Sequence, residues 1–415
     1  MAHRKILLAD LAVGMYLVGL DRSWLQTPFL RHKFTVTDCE QIALLRQSGV
    51  REVTIDTEQG LDVPESTLAQ QAGSPASNDS VDESDAGAKR VVESVKVPTV
   101  VVLADNLAVA KQRRLEWMNR LNHLFEHTRA TGMVSYEEAC QLVEDMIGVI
   151  VERQAACYAV TSLRESDPAL YEHGLTVCTL AIIMGQVLRH PREVLQRIGL
   201  AALLHDIGLT RLPRNITKRS PGLAPAHQAL YDSHASQGVS MLERSGVDDQ
   251  AVLSAIRNHH DLVRVTSAAG QTHGMVYELT RIVGVVDQYD EFVTGQSGLP
   301  PMSSSQAMTQ LYQRYREQQG LQETVSYLVR TIGVYPLYSL VSLNSGELGI
   351  VGGITPGKAH LPTLYVCRDA SGHGCVPPVE LDLVREPDGG RVILDVCDPR
   401  RVGIDVESVL REVAA

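Results

Sequence analysis

From about residue 105 to 330, apolar side chains recur with the 3.6-residue period of packed helices, in segments such as CQLVEDMIGVIVERQ, VCTLAIIMGQVLRH and VLQRIGLAALLHD. Into these helices are set His173, His205, Asp206, His234, His259, His260 and Asp287. An imidazole or carboxylate left unpaired in such surroundings costs about 1 to 3 kcal/mol in lost hydration. A single residue of this kind is ordinarily a satisfied core histidine. Seven of them on five helices call for one shared explanation, and for a fold that brings the helices together.

Two divalent cations supply that explanation. Neutral imidazoles and carboxylates are the donors that mixed nitrogen and oxygen sites offer to iron, manganese or zinc. A carboxylate such as Asp206 can bridge two ions, and bridged ions acidify a shared water enough to yield hydroxide at neutral pH. The chemistry implied is hydrolysis of a phosphate ester, with His205 and Asp206 as the catalytic pair.

Around this helical body the pattern changes twice. Residues 1–60 mix short apolar segments with turns and end in the alternating VREVTID, Val50 to Asp56, which predicts a strand in a small α+β domain. Residues 61–98 are rich in Ser, Ala, Gly and Asp with little to bury, which predicts a disordered linker. The helical domain is expected over 99–335. Residues 336–415 read as a β-rich extension of short strands and Gly, Pro and Asn turns, closed by a short helix near 405–413.

Charge narrows the partners. Lys and Arg number 38 against 49 Asp and Glu, a net charge of −11, which argues against a nucleic-acid polymer as ligand. An anionic substrate must then be caught by metals or a few chosen cations. The seven cysteines are odd in number and form no CxxC pair, as expected of reduced thiols in a cytoplasmic protein. Asp10 interrupts the N-terminal apolar run, so neither a secretory signal nor a membrane span is predicted.

The order and spacing of the seven residues resemble the HD-domain metal-dependent phosphohydrolases. The likeness is greatest to their HD-GYP branch, which degrades the bacterial messenger cyclic di-GMP. YEHGLTVCTLA, LLHDIGL, HASQGVSMLE, RNHHD, VVDQYDEFVT and IGVYPLYSLVSLNSGELGIV carry the resemblance over roughly 170–352. The opening segment, LADLAVGMYLVGLD through VTIDTEQG, also looks like the small domain of unknown role often joined to HD-GYP domains. The resemblance implies a mainly α protein, an HD-type helical bundle between the α+β and β-rich ends. It places the family's metal ligands on all seven residues: His173, His205 and Asp287 on one ion, His234, His259 and His260 on the other, and Asp206 bridging. Family members with a third ion use an acidic residue one turn before the first histidine; Ala169 stands there, with Asp167 and Glu172 off position, so two ions, iron or manganese, are expected.

The chain departs from the family where substrate is gripped. Leu209 replaces the lysine of HDxGK, removing a cation from the phosphate. The ERxDGxGYP that follows the paired histidines is absent; Asp261 keeps only the acid, and SAAGQTHG predicts a flexible loop. Where an RPYR-like segment usually stands, TGQSGLPPMSSSQAM brings no arginine. Arg214 and Arg264 are the candidates to contact substrate instead, while Arg211, Lys218 and Arg219 compete with a reading as solvated loop cations. His227 is expected at the surface, Asp290 as a partner of a ligand, and Tyr277 and His273 as residues that can line an altered pocket.

Three functions fit these residues. The first is a two-metal phosphodiesterase acting on cyclic di-GMP or its linear dinucleotide product, with reduced activity. The second is a phosphohydrolase of altered specificity, and the third a catalytically weak or inactive signalling module that binds a protein partner. A homodimer is compatible with the class, though no segment speaks for it.

Overall fold

The computed structural model describes residues 3–21, 34–36, 39–47, 50–61, 100–162, 170–213, 224–263, 274–296, 299–354, 358, 360–387 and 390–414. Two compact units divide the chain. Met1–Val97, with 356–360 and 387–389, form the first, and the remaining residues form the second.

In the first unit four antiparallel strands lie in the order β1 (His3–Leu7), β4 (Glu52–Asp56), β2 (Tyr16–Leu20) and β3 (Phe34–Thr35), with helix α1 at Cys39–Gln47. The register pairs His3 with Asp56 and Leu7 with Glu52. Ile6, Leu17, Val53 and Ile55 close over Leu8, Met15, Val36 and Leu45 as its core. β4 starts two residues later than the alternation of VREVTID predicts. The carboxylate of Asp21 accepts the Arg51 and Glu52 amides at 3.0 and 3.2 Å, and Val50 donates to Leu45 instead of to a strand. The expected linker lies outside the described residues except for Leu61.

The second unit is built on helices α2 (Val100–Thr131), α3 (Tyr136–Ser162), α4 (Leu170–Val187), α5 (Arg192–Leu204), α6 (Pro225–Asp232), α7 (His234–Arg244), α8 (Gln250–Asn258), α9 (Met275–Thr294), α10 (Ser304–Arg314) and α11 (Gln319–Ile332). Two of them are central. Residues 173–185 of α4 and 282–292 of α9 are buried without interruption, the latter including Asp287, Gln288, Asp290 and Glu291. The hydroxyls of Thr176 and Thr179 in α4 donate to the carbonyls of Glu172 and Leu175 at 2.9 and 2.8 Å, so neither is left unpaired in the core. α4 packs on α2, α3, α5, α9 and α11, and α9 also meets α5, α8 and α10.

Helix ends are set by local chemistry. Asp249 caps α8 by accepting from the Ala251 and Val252 amides, Ser303 and Gln306 form a capping box on α10, and α9 stops at Gly295 with φ of 78°. After α11 an antiparallel sheet runs in the order β8 (Gly374–Asp382), β7 (Thr363–Arg368), β6 (Leu348–Gly353), β5 (Leu340–Leu343) and β9 (Ile393–Cys397). Helix α12 (Val406–Ala414) packs on α2 and β8, with Lys111 and Glu407 paired across the first contact. The mainly α class with small sheets at both ends agrees with the sequence reading. No described helix is long and apolar enough to cross a membrane.

Candidate metal centre

Three of the histidines stand where a helix ends or begins, and each uses the same local device. His205 caps the C-terminus of α5 and His259 that of α8, while His234 opens α7 directly after α6. Carbonyls in the last turn of a helix lack an intrahelical donor. The Nδ1–H of His205 donates to the Ala202 carbonyl at 2.7 Å, that of His234 to Tyr231 at 2.6 Å and that of His259 to Ile256 at 2.6 Å. Each carbonyl lies three residues back, so one bond satisfies the helix end and fixes the ring. His173, one turn into α4, is held from another helix: its Nδ1 meets Asp290 Oδ2 of α9 at 2.7 Å.

A carbonyl can only accept, so Nδ1 keeps the proton in the neutral ring and Nε2 presents a lone pair. These Nε2 atoms converge. His173 and His205 bring theirs to 3.3 Å of each other, and His234 and His259 to 3.2 Å. Two lone pairs at that distance repel unless a proton or a cation lies between them.

The carboxylates complete two groups. Asp287 Oδ1 lies 3.1 Å from His173 Nε2 and 3.5 Å from His205 Nε2. Asp206 faces both ways: its Oδ2 is 3.6 Å from His205 Nε2 and 3.9 Å from His173 Nε2. Its Oδ1 is 3.1 Å from His234 Nε2 and 3.8 Å from His259 Nε2. One ligand atom each from His173, His205 and Asp287 lies within 4.8 Å of the others, and the same holds for Asp206, His234, His259 and His260.

As ionisable groups these residues are strongly coupled. Burial alone would lower the histidines, but Asp287 and Asp290 outweigh it at His173 and hold its pKa well above the usual value. His205 and His234 are likewise disfavoured by burial yet raised by Asp206, with Asp287 assisting at His205. Burial, His260 and His205 together push His259 well below the ordinary range. Asp206 and Asp287 are driven down despite burial, the first by His205 and His234, the second by His173 and His205.

This donor set fits divalent cations. His205, His234 and His259 are 0% exposed, and neither Asp206 Oδ1 nor Asp287 Oδ2 accepts a well-aligned hydrogen bond although both are buried. Buried acceptors without donors are rare in folded proteins. Neutral nitrogens with fixed tautomers beside ionised carboxylates are the arrangement in which a cation satisfies every lone pair.

The remaining candidates separate. Asp290 is 1% exposed and is the partner of His173. His227 is exposed on α6. Arg211 is exposed with its guanidinium beside Gly132 at the end of α2. Tyr277 carries the Arg281 guanidinium over its ring at 4.4 Å and meets Gly320 of α11. Leu209 is 1% exposed in an apolar cluster with Leu212 and Tyr231, the residue whose carbonyl orients His234. Asp261 is exposed. Asp167, Ala169, Arg214, Lys218, Arg219, Arg264 and His273 lie outside the described residues. One acid escaped the sequence reading: Glu291, 4% exposed, brings a carboxylate within 4.8 Å of ligand atoms of His260 and Asp287. Its spacing of four from Asp287 puts the two on one helical face, which was the available signal.

Residues 3–139 match the family described as a domain of unknown function, DUF3391, and residues 159–319 match the HD domain. Over 397 residues the chain is 26% identical to the cyclic di-GMP phosphodiesterase PA4108 of Pseudomonas aeruginosa, covering 94% of this chain and 91% of that one. It is similar also to the solved structure of Bd1817, an HDG"Y"P protein from Bdellovibrio bacteriovorus, at 19% identity and a TM-score of 0.45, covering 79% of this chain and 98% of the other. The chain is an HD-domain protein with an N-terminal DUF3391 domain, as the resemblance read from its motifs implies.

Proposed function

We propose that the chain is a two-metal phosphodiesterase that hydrolyses cyclic di-GMP or its linear dinucleotide product, with iron or manganese as the cations. The observation that carries this reading is the disposition of Asp206, whose two oxygens face two separate histidine groups. That is what a carboxylate shared by two ions requires. The likeness to a cyclic di-GMP phosphodiesterase along nearly the whole chain supports the choice of substrate.

His173, His205 and Asp287 would hold one ion, His234, His259 and His260 the other, and Asp206 both. Bound there, such a pair supplies a hydroxide from shared water and positive charge for the phosphoryl oxygens. The protein's own part is preorganisation: the Ala202, Tyr231 and Ile256 carbonyls and Asp290 fix four rings before substrate arrives. The His260 side chain is 23% exposed, against 0% for His205 and His234, so the cluster opens to solvent on its side. Substrate would approach there. Arg214 and Arg264 remain the proposed substrate contacts.

A second reading, a slow or non-catalytic signalling module, is favoured by Leu209. The position that carries the family's lysine is here part of an apolar cluster. Losing one such electrostatic contact costs about 10²- to 10³-fold in rate by analogy with oxyanion-hole mutants.

The test is metal analysis of the purified protein and cyclic di-GMP turnover with iron or manganese, beside a His205→Ala/Asp206→Ala double variant. Two ions per chain and turnover lost in the variant are expected. Equal turnover by both proteins would sink the proposal, and two bound ions without hydrolysis would make the signalling module the better account.

A further inference from the structure

Helix α2 belongs by sequence to the stretch matched by DUF3391, which runs to residue 139, yet it packs within the second unit on α3, α4 and the 3-10 turn Ile207–Arg211. Its polar attachments fall beside the metal centre. Arg114 is 8% exposed, and its Nη2 donates to Glu172 Oε1 at 3.4 Å and to Thr176 Oγ1 at 3.2 Å. These two α4 residues bracket His173. Further along α2, Arg129 Nη1 donates to the Leu212 carbonyl at 3.4 Å, one residue past the turn that follows His205 and Asp206.

A guanidinium this deeply buried is held by its partners, because taking it from water unpaired is costly. Arg114 therefore ties the register of α2 to the first turn of α4. His173 is the ligand-type residue inside that turn, and its Nε2 must stay within reach of both Asp287 and His205. Asp290 fixes the rotation of the ring, while the position of its backbone depends on where α4 is held.

We propose that Arg114 is a positioning residue for the metal centre. By gripping Glu172 and Thr176 it sets where α4 presents His173. The inference rests on the reading of the seven residues as a metal centre. It assigns Arg114 no contact with substrate.

The experiment uses the full chain with cobalt(II) as the probe, read by stepwise calorimetric titration, by visible absorption of the bound ion and by thermal unfolding. Arg114→Met keeps the stem and removes the guanidinium. Arg114→Lys restores a cation, and Arg113→Met changes the adjacent, exposed residue, which pairs along α2 with Glu116. Arg114→Met should weaken one of two cobalt steps by about tenfold or more, alter the absorption bands and leave the other step unchanged. Arg114→Lys should recover part of both effects, and Arg113→Met should match wild type. If Arg114→Met does not fold, Glu172→Gln, which weakens the same bond from the other side, should show the one-step loss in milder form. Wild-type cobalt binding and spectra in Arg114→Met, or in Glu172→Gln where that variant replaces it, would overturn the proposal. So would an equal weakening of both steps alongside a lower melting temperature, since that is a general loss of structure. Failure of the metal-centre reading is seen separately, as wild-type protein that binds no cobalt, and the proposal falls with it.

Discussion

Gly208 and His234 meet backbone to backbone: a Cβ at 208 would overlap the carbonyl oxygen of His234 and stand 2.7 Å from the Gly238 amide nitrogen. The 3-10 turn that follows His205 and Asp206 thus lies directly on the first turn of α7, and this contact brings Asp206 to His234. Gly208→Ala must push the two elements apart. Overpacking of this kind costs about 1 to 3 kcal/mol, and the displaced pair should bind metal more weakly. Denaturant unfolding and metal titration of the variant check both expectations, and wild-type values in both would show that the contact does not set the site.

Gly284 makes the matching contact on α9, where an added Cβ would overlap the carbonyl oxygen of His259. Gly284→Ala should resemble Gly208→Ala in stability while acting on the histidines of α8 instead of on Asp206. Loss of the sum of the single effects in the double variant would show the two backbone contacts to be independent. Chemical denaturation of all three proteins decides this, and clear non-additivity would mean that the contacts form one unit.

Asp290 lies 2.7 Å from Nδ1 of His173 and fixes the tautomer that turns Nε2 inward. Partners of this kind are worth about 10- to 100-fold in metal affinity or activity. Asp290→Ala should lose that much at the site built on His173. Asp290→Asn should lose less, since its amide oxygen still accepts the Nδ1 proton. Titration with manganese and the rate of phosphodiester hydrolysis measure the two losses, and an Asp290→Ala protein that titrates like wild type would remove Asp290 from this role.

Protons compete for the same lone pairs. His173, His205 and His234 are raised above the ordinary histidine value and must give up their protons to bind a cation, whereas His259 is lowered and already neutral. Asp206 and Asp287 are ionised across the useful range. The sign follows: affinity should rise as pH increases from about 6.5 through the raised histidine range, with protons released on loading. Calorimetric titration in buffers of different ionisation heat counts those protons. Heats independent of buffer would contradict the assignment.

The seven polar residues that the structure brings together were legible because chemistry, not geometry, marked them: imidazoles and carboxylates stand in or beside strongly apolar helical segments. The helical span was legible for the same reason, and α2 to α11 run from Val100 to Ile332 where periodicity predicted about 105 to 330. What could not be read were relationships across the fold. Arg114 and Glu172 are separated by 58 positions, and nothing in either segment names the other. The carbonyls behind His205, His234 and His259 are invisible because any residue supplies a carbonyl; only the helix ends make them acceptors. The later start of β4 could not be read because the Asp21 carboxylate, 30 residues from Arg51, takes the Arg51 amide.

Leu209 was read from sequence as a missing cation, and its packing adds a second consequence. At 1% exposure it fills the space beside Leu212 and Tyr231, and the carbonyl of Tyr231 fixes His234. Leu209→Ala should therefore cost about 2 to 5 kcal/mol, as truncations of buried leucines do, and should loosen metal binding at the histidines of α7 and α8. Leu209→Met, which conserves volume, should cost under about 1.5 kcal/mol. Leu209→Lys decides between the two consequences. If the position serves packing, an ammonium there is poorly solvated, the melting temperature falls and hydrolysis does not improve. If a cation is all that is lacking, turnover of cyclic di-GMP should rise by about 10²-fold or more, the scale of one electrostatic contact to a developing charge. The burial of Leu209 favours the first outcome, and a faster, equally stable Leu209→Lys enzyme would refute it.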